Sequence, residues 1–117
     1  MNLFKEEIGN WQDWSNVSQS LFAFSALTNF IFQKENLPLA KLENLPPATN
    51  AVFKSGDFVI KIYVPREGGM DPATEIQTEL FSMQRANQLG IHSPKLIAHG
   101  FVEDKYRFVY MIMEYVH

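Results

Sequence analysis

Phe58-Val59-Ile60-Lys61-Ile62-Tyr63 is the stretch on which the fold turns. Apart from Lys61, every residue in it is β-branched or aromatic, the make-up of a strand. Side chains alternate along a strand, so Val59, Lys61 and Tyr63 share one face and Phe58, Ile60 and Ile62 the other. A lysine with apolar neighbours on both faces is costly unless its ammonium meets an anion or snorkels into water. Downstream, a helix offers carboxylates, and upstream a loop offers a place for an external anion.

Outward from this strand, Ser55-Gly56-Asp57 reads as a hairpin turn and Ala51 to Lys54 as the strand before it. Pro46-Pro47-Ala48-Thr49-Asn50 is a turn segment, and Leu39 to Leu45 alternates apolar and polar residues as a first strand. After Tyr63 the pattern is lost through Pro65, Arg66, Glu67, Gly68 and Gly69, which predicts a mobile loop. A helix starts at Asp71-Pro72, where Asp caps and Pro suits the first turn; Thr74 with Gln77 is an alternative capping box. It stops at Gly90, with Ile91 and Pro94 beyond. Two strands follow, Lys95 to Val102 and Tyr106 to Glu114, joined by a turn at Glu103-Asp104-Lys105.

Ahead of the sheet, residues 1–14 are polar with Trp11 and Trp14 among them, a short helix or an ordered arm. Ser15 or Asn16 caps a helix running to about Gln33. Its apolar stripe is Val17, Leu21, Phe24, Leu27, Thr28 and Ile31; Phe22 and Phe30 lie off it, which predicts cover on a second side by Trp11 or Trp14. The expected fold class is α+β: a five-stranded antiparallel sheet with one inserted helix, plus an N-terminal helix. The expected division is a helical extension over residues 1–36 and the sheet domain over 37–117.

The 117 residues are 46% hydrophobic and 20% charged, with a formal net charge of −3 and no cysteine. That composition is globular and excludes disulfides, Cys-based zinc sites and thiol catalysis. No global field draws the chain to nucleic acid or an anionic membrane, so neither is an expected partner. Lys5, Glu6 and Glu7 replace the apolar run of a signal peptide, and the apolar segments are too short to span a bilayer, so a cytoplasmic protein is expected. His92, His99 and His117 lack metal-ligand spacing, and no Gly-x-Ser-x-Gly nucleophile elbow is present. Arg66 with Gly68-Gly69 reads as a solvated loop rather than a phosphate contact.

On a helical wheel, Glu79 lies between Ile76, Met83 and Ala86, with Leu80 at the margin. A lone carboxylate there is expensive, whereas Glu75 sits at the edge of the apolar face. Lys61 is the strand-interior cation that answers Glu79. Attraction of such a pair is on the order of 4 kcal/mol in a partly screened site, which does not offset full burial, so the pair suits positioning better than stability. Phe81 faces the other way and predicts that the N-terminal helix packs on that outer side.

The order of these motifs resembles the N-terminal lobe of a protein-kinase-like phosphotransferase, whose Lys–Glu pair is a required part. Asn50-Ala51-Val52-Phe53-Lys54, the Lys61 strand, Glu79, Leu89-Gly90-Ile91-His92-Ser93-Pro94, Leu96-Ile97-Ala98-His99-Gly100 and Met111-Ile112-Met113-Glu114-Tyr115-Val116 are most similar to the aminoglycoside phosphotransferase and choline-kinase-like group. The resemblance covers Asn50 to His117 and leaves the N-terminal helix outside. It implies that residues 37–117 form a kinase-like N-lobe truncated at the hinge. The cofactor would be ATP or GTP with Mg2+, and the γ-phosphate would pass to a hydroxyl of an aminoglycoside-like or choline-like small molecule.

Carried over by position, the resemblance implies that Lys61 contacts the α/β-phosphates with Glu79 orienting it. Val52 and Val59 would pack on the purine, Met113 would stand at the gatekeeper position, and the backbone of Glu114 and Val116 would form the hinge. The phosphate loop departs from a Gly-rich one: Pro46 and Pro47 have no N–H, leaving the amides of Ala48, Thr49 and Asn50 and the Thr49 hydroxyl. His99-Gly100 continues with Phe101, so it is not the His-Gly-Asp motif of the resembling family. The catalytic base and the Mg2+ ligands are expected in a missing C-lobe, so the fragment alone is expected to be inactive and to self-associate through its bare lobe interface. The alternative is a complete non-catalytic α+β interaction module in which Lys61 and Glu79 are a structural ion pair.

Overall fold

Phe24 and Phe53 meet in the computed structural model, ring centroids 5.5 Å apart, where a helix and a sheet close on each other. The structure describes residues 2–91 and 94–116; the His92-Ser93 part of the interstrand link, and His117, lie outside them. Strands β1 (Leu42–Asn44), β2 (Ala51–Ser55), β3 (Phe58–Ile62), β4 (Leu96–Glu103) and β5 (Arg107–Glu114) form one sheet in the order β1-β2-β3-β5-β4, every pairing antiparallel. Helices α1 (Trp11–Val17) and α2 (Leu21–Lys34) precede it, and α3 (Pro72–Gln88) is inserted between β3 and β4. The fold is thus α+β, with the five antiparallel strands and inserted helix expected. Among the described residues no helix is long and apolar enough to cross a membrane.

Cross-strand partners share a face. Phe53, Ile60 and Ile112 are in register, and with Phe24, Leu27, Ile31, Phe108 and Tyr110 they build the main core against α1 and α2. The opposite face carries Val52, Lys61 and Met111 in register and meets α3 through a smaller cluster of Tyr63, Ile76 and Met111.

The polar N-terminal residues form an ordered arm as well as a helix. Phe4 and Ile8 are buried in the main core. Asp104 accepts from the Leu3 amide at 3.0 Å and the Phe4 amide at 2.9 Å, and Tyr106 accepts from the Ile8 amide at 2.7 Å. Burial works to raise the Asp104 carboxyl, but the amides of Leu3, Phe4 and Lys105 outweigh it and hold the group below the usual carboxylate range.

Several expectations are corrected. The single helix capped at Ser15 or Asn16 is two: Asn10 caps α1, and the Ser20 hydroxyl caps α2 by accepting from the Ala23 amide at 3.1 Å. The break lets Trp14 fold onto Phe24, ring centroids 5.9 Å apart, so it covers the inner side, while Trp11 is exposed and Phe22 stands 90% exposed. Strand β1 is shorter than Leu39–Leu45 because the Ser55 hydroxyl takes over Ala40, accepting from its amide at 2.9 Å and donating to its carbonyl at 3.1 Å. Arg66–Gly68, expected within a mobile loop, form a turn of 3-10 helix capped by Pro65 and Gly69. A Cβ on the buried Gly68 would lie 2.6 Å from Val64 Cγ1, so only glycine lets this turn close on the core.

Asp71 and Pro72 start α3 as expected, with Asp71 accepting from the Ala73 amide at 3.1 Å, so the alternative capping box is not the one that starts it. Gly90 ends it at φ +71°, and the Ile91 amide reaches back to the Ala86 carbonyl at 3.0 Å. Phe81 is 63% exposed, which overturns the expectation that the N-terminal helix packs on it. That helix is committed to the other face of the sheet.

Candidate functional site

Lys61 lies in the middle of β3, between Val52 of β2 and Met111 of β5. Its neighbours fix the direction of its stem, and the helical turn after Ile76 aims Glu79 at its end. Nζ donates to Glu79 Oε1 at 2.7 Å and Oε2 at 2.8 Å. The two side chains keep 21% and 29% exposure, so the pair is at the edge of solvent rather than sealed.

Tyr63 completes the group. Its hydroxyl donates to Glu79 Oε1 at 2.8 Å, and Lys61 Nζ sits 5.3 Å from its ring centroid. Burial first, then the hydrogen bond and negative charge of Glu79, push the Tyr63 hydroxyl well above the usual tyrosine range. It therefore stays protonated and donates.

One turn earlier, Glu75 makes a second tie. Asn50 Nδ2 donates to Glu75 Oε1 at 2.9 Å, and Asn50 Oδ1 accepts from the Val64 amide at 3.0 Å. Asn50 is buried, so its side chain serves the fold and any contact with an external anion would fall to its backbone. The Thr49 carbonyl accepts from Trp14 Nε1 at 2.8 Å, which anchors the exposed Pro46–Thr49 turn to α1.

Val59 pairs with Met113 and with Lys54, so Val52, Val59 and Met113 form an apolar strip on the face that carries Lys61. Val59 is more covered than a bare purine face requires: it is buried, with Val52 and Met113 half-buried. Lys54 Nζ lies 4.8 Å from the Tyr115 ring centroid at the border of this strip. The Glu114 amide donates to the Lys95 carbonyl at 2.9 Å, so a nucleobase bond from Glu114 would have to come from its carbonyl. Val116, two residues on, is exposed.

The structure thus brings Lys61, Glu79, Val52, Val59 and Met113 onto one face, with Thr49 and Asn50 at one end and Glu114 and Val116 at the other. No protein-family model matches the chain, and no curated protein or solved structure matches it. What the site can do therefore rests on its own chemistry. An ammonium held by two bonds to one carboxylate has a third N–H for an outside oxygen. The adjoining strip is apolar and strand-flat, suited to a planar ring.

Among the described residues no three of His, Asp or Glu gather into a metal-ligating group. A groove of about 580 Å³ runs along the other flank of α3, beside Ile76, Leu80, Phe101 and Val109. Of the charges that line it, Lys105 pairs with Glu7, Arg107 with Glu103, and Asp104 with the arm. Lys61 does not line it.

Sequence reasoning found the Lys61–Glu79 pair but missed Tyr63 and the Asn50–Glu75 tie. Alternation puts Tyr63 on the Lys61 face and Glu75 lies one turn from Glu79, but that spacing does not say which donor each acid meets.

Proposed function

We propose that this chain is the N-terminal, nucleotide-holding lobe of a cytoplasmic small-molecule phosphotransferase. The full protein would move the ATP γ-phosphate to a hydroxyl of an aminoglycoside-like or choline-like acceptor. The observation that carries the reading is the Lys61–Glu79 pair, a partly exposed ammonium held beside an apolar strip. The antiparallel sheet with a helix inserted between β3 and β4 supports it, because that insertion is what brings Glu79 over Lys61.

The residues fit a nucleotide: Lys61 supplies one N–H to the α/β-phosphates while Glu79 fixes its direction, and Val52, Val59 and Met113 take the purine, ATP or GTP. They do not fit Mg2+, since among the described residues no three carboxylate or imidazole side chains converge. On this reading the metal ligands and the base that orients the acceptor hydroxyl belong to a second lobe, and the chain by itself does not turn over.

In the full-length protein, Lys61→Ala lowers ATP turnover by about two to three orders of magnitude while circular dichroism and cooperative unfolding stay as in the wild type. Unchanged turnover in a folded variant removes the reading. The second reading, a non-catalytic interaction module, is favoured by one observation: Glu79 finds two donors, Lys61 and Tyr63, inside the chain. It gains the same result that the first reading loses.

A further inference from the structure

The geometry points to Tyr63 as a positioning residue that acts on the bound nucleotide through Glu79, an inference that rests on the phosphotransferase reading. Glu79 has three side-chain torsions, and its terminal one is broad, so one ammonium on a long flexible stem does not fix the plane of its carboxylate. A second donor does. The Tyr63 hydroxyl stands 2.8 Å from the same Oε1 that Lys61 reaches at 2.7 Å, while Oε2 takes Lys61 alone at 2.8 Å.

The origin of that second bond is rigid. Tyr63 has no exposed surface and packs with the buried Ile76 and Met111, so packing sets where its hydroxyl lies. Its protonation is equally firm, because burial and the charge of Glu79 both oppose ionisation. With the carboxylate held at a fixed tilt, Lys61 keeps two N–H groups on it and the third has a defined direction in which to meet a phosphate oxygen.

Tying α3 to the sheet does not by itself account for the arrangement. Asn50 and Glu75 make that tie one turn earlier, at 2.9 Å, and Ile76 adds buried apolar contact. Removing one hydroxyl therefore leaves the helix docked and changes the freedom of Glu79.

The test uses the full-length protein and the affinity of a fluorescent ATP analogue with Mg2+, for the wild type, Lys61→Ala, Tyr63→Phe, Glu79→Ala and the Tyr63→Phe/Glu79→Ala double variant. Tyr63→Phe is expected to bind about tenfold more weakly, the size of one hydrogen bond to a charged group. The double variant is expected to bind no more weakly than Glu79→Ala alone, since Tyr63 has nothing to act through once the Glu79 carboxylate is removed. Wild-type affinity in Tyr63→Phe, or losses that multiply in the double variant, overturns the inference while a loss in Lys61→Ala keeps the phosphotransferase reading standing. Undiminished binding in Lys61→Ala overturns that reading and the inference with it.

Discussion

At the scale of single residues, Tyr63 makes a prediction independent of any ligand. An unfolded tyrosine ionises near pH 10, whereas in the folded chain burial and Glu79 hold the Tyr63 proton to higher pH. The folded state thus keeps a proton that the unfolded state releases. Its contribution is complete below about pH 10 and falls above it, by about 1.4 kcal/mol per pH unit for each such group. Tyr110, buried beside Glu35, adds to the same alkaline loss. Urea unfolding between about pH 10 and 11.5 should show a shallower decline for Tyr63→Phe than for the wild type; parallel declines would show that the hydroxyl ionises as freely folded as unfolded. The Lys61–Glu79 partnership was legible because strand alternation and the helical wheel each left one unanswered charge. Tyr63 was not, because an aromatic among aromatics reads as packing and its hydroxyl gains meaning only when Glu79 is placed against it.

At the scale of elements, α3 is the most lightly held. Ile76 is its buried residue, with Leu80 and Met83 half-buried, and Glu75 and Glu79 add polar ties. Asn50→Ala strips the Val64 amide and the Glu75 carboxylate of a partner and costs about 1–3 kcal/mol. Hydrogen exchange should show α3 amides losing protection in that variant before those of β3 and β5; uniform loss would mean that Asn50 supports the whole sheet instead. The boundaries of α3 were legible because Asp71, Pro72 and Gly90 act locally. The break between α1 and α2 was hidden, since Ser18, Gln19 and Ser20 are tolerated in a helix, and only the packing of Trp14 on Phe24 makes Ser20 a cap.

At the scale of the whole molecule the two faces of the sheet are unequal. One is closed by an aromatic core in which Phe24 meets Phe4, Trp14, Phe53 and Phe108. The other is covered by α3 over part of its width, and Val116 at its border is 46% exposed. On the proposed reading a second lobe covers that border, and the chain alone should self-associate there. Sedimentation should show mass rising with concentration, and Val116→Lys should reduce the effect; identical behaviour of the variant would place the contact elsewhere, with Phe22 and Phe81 as the next exposed aromatics.

The sequence alone determined the strands from Ala51 onward, the limits of α3 and the meeting of Lys61 with Glu79, because each depends on periodicity or on a cap within a few residues. Tertiary structure alone decided how the N-terminal arm threads beside Phe4 and Ile8, why Gly68 closes its turn, and that Asn50 and Tyr63 answer the two acids of α3. Those bonds join residues far apart in the chain, and a hydrogen bond needs partners within about 3 Å, a distance that only the packed sheet and helix establish.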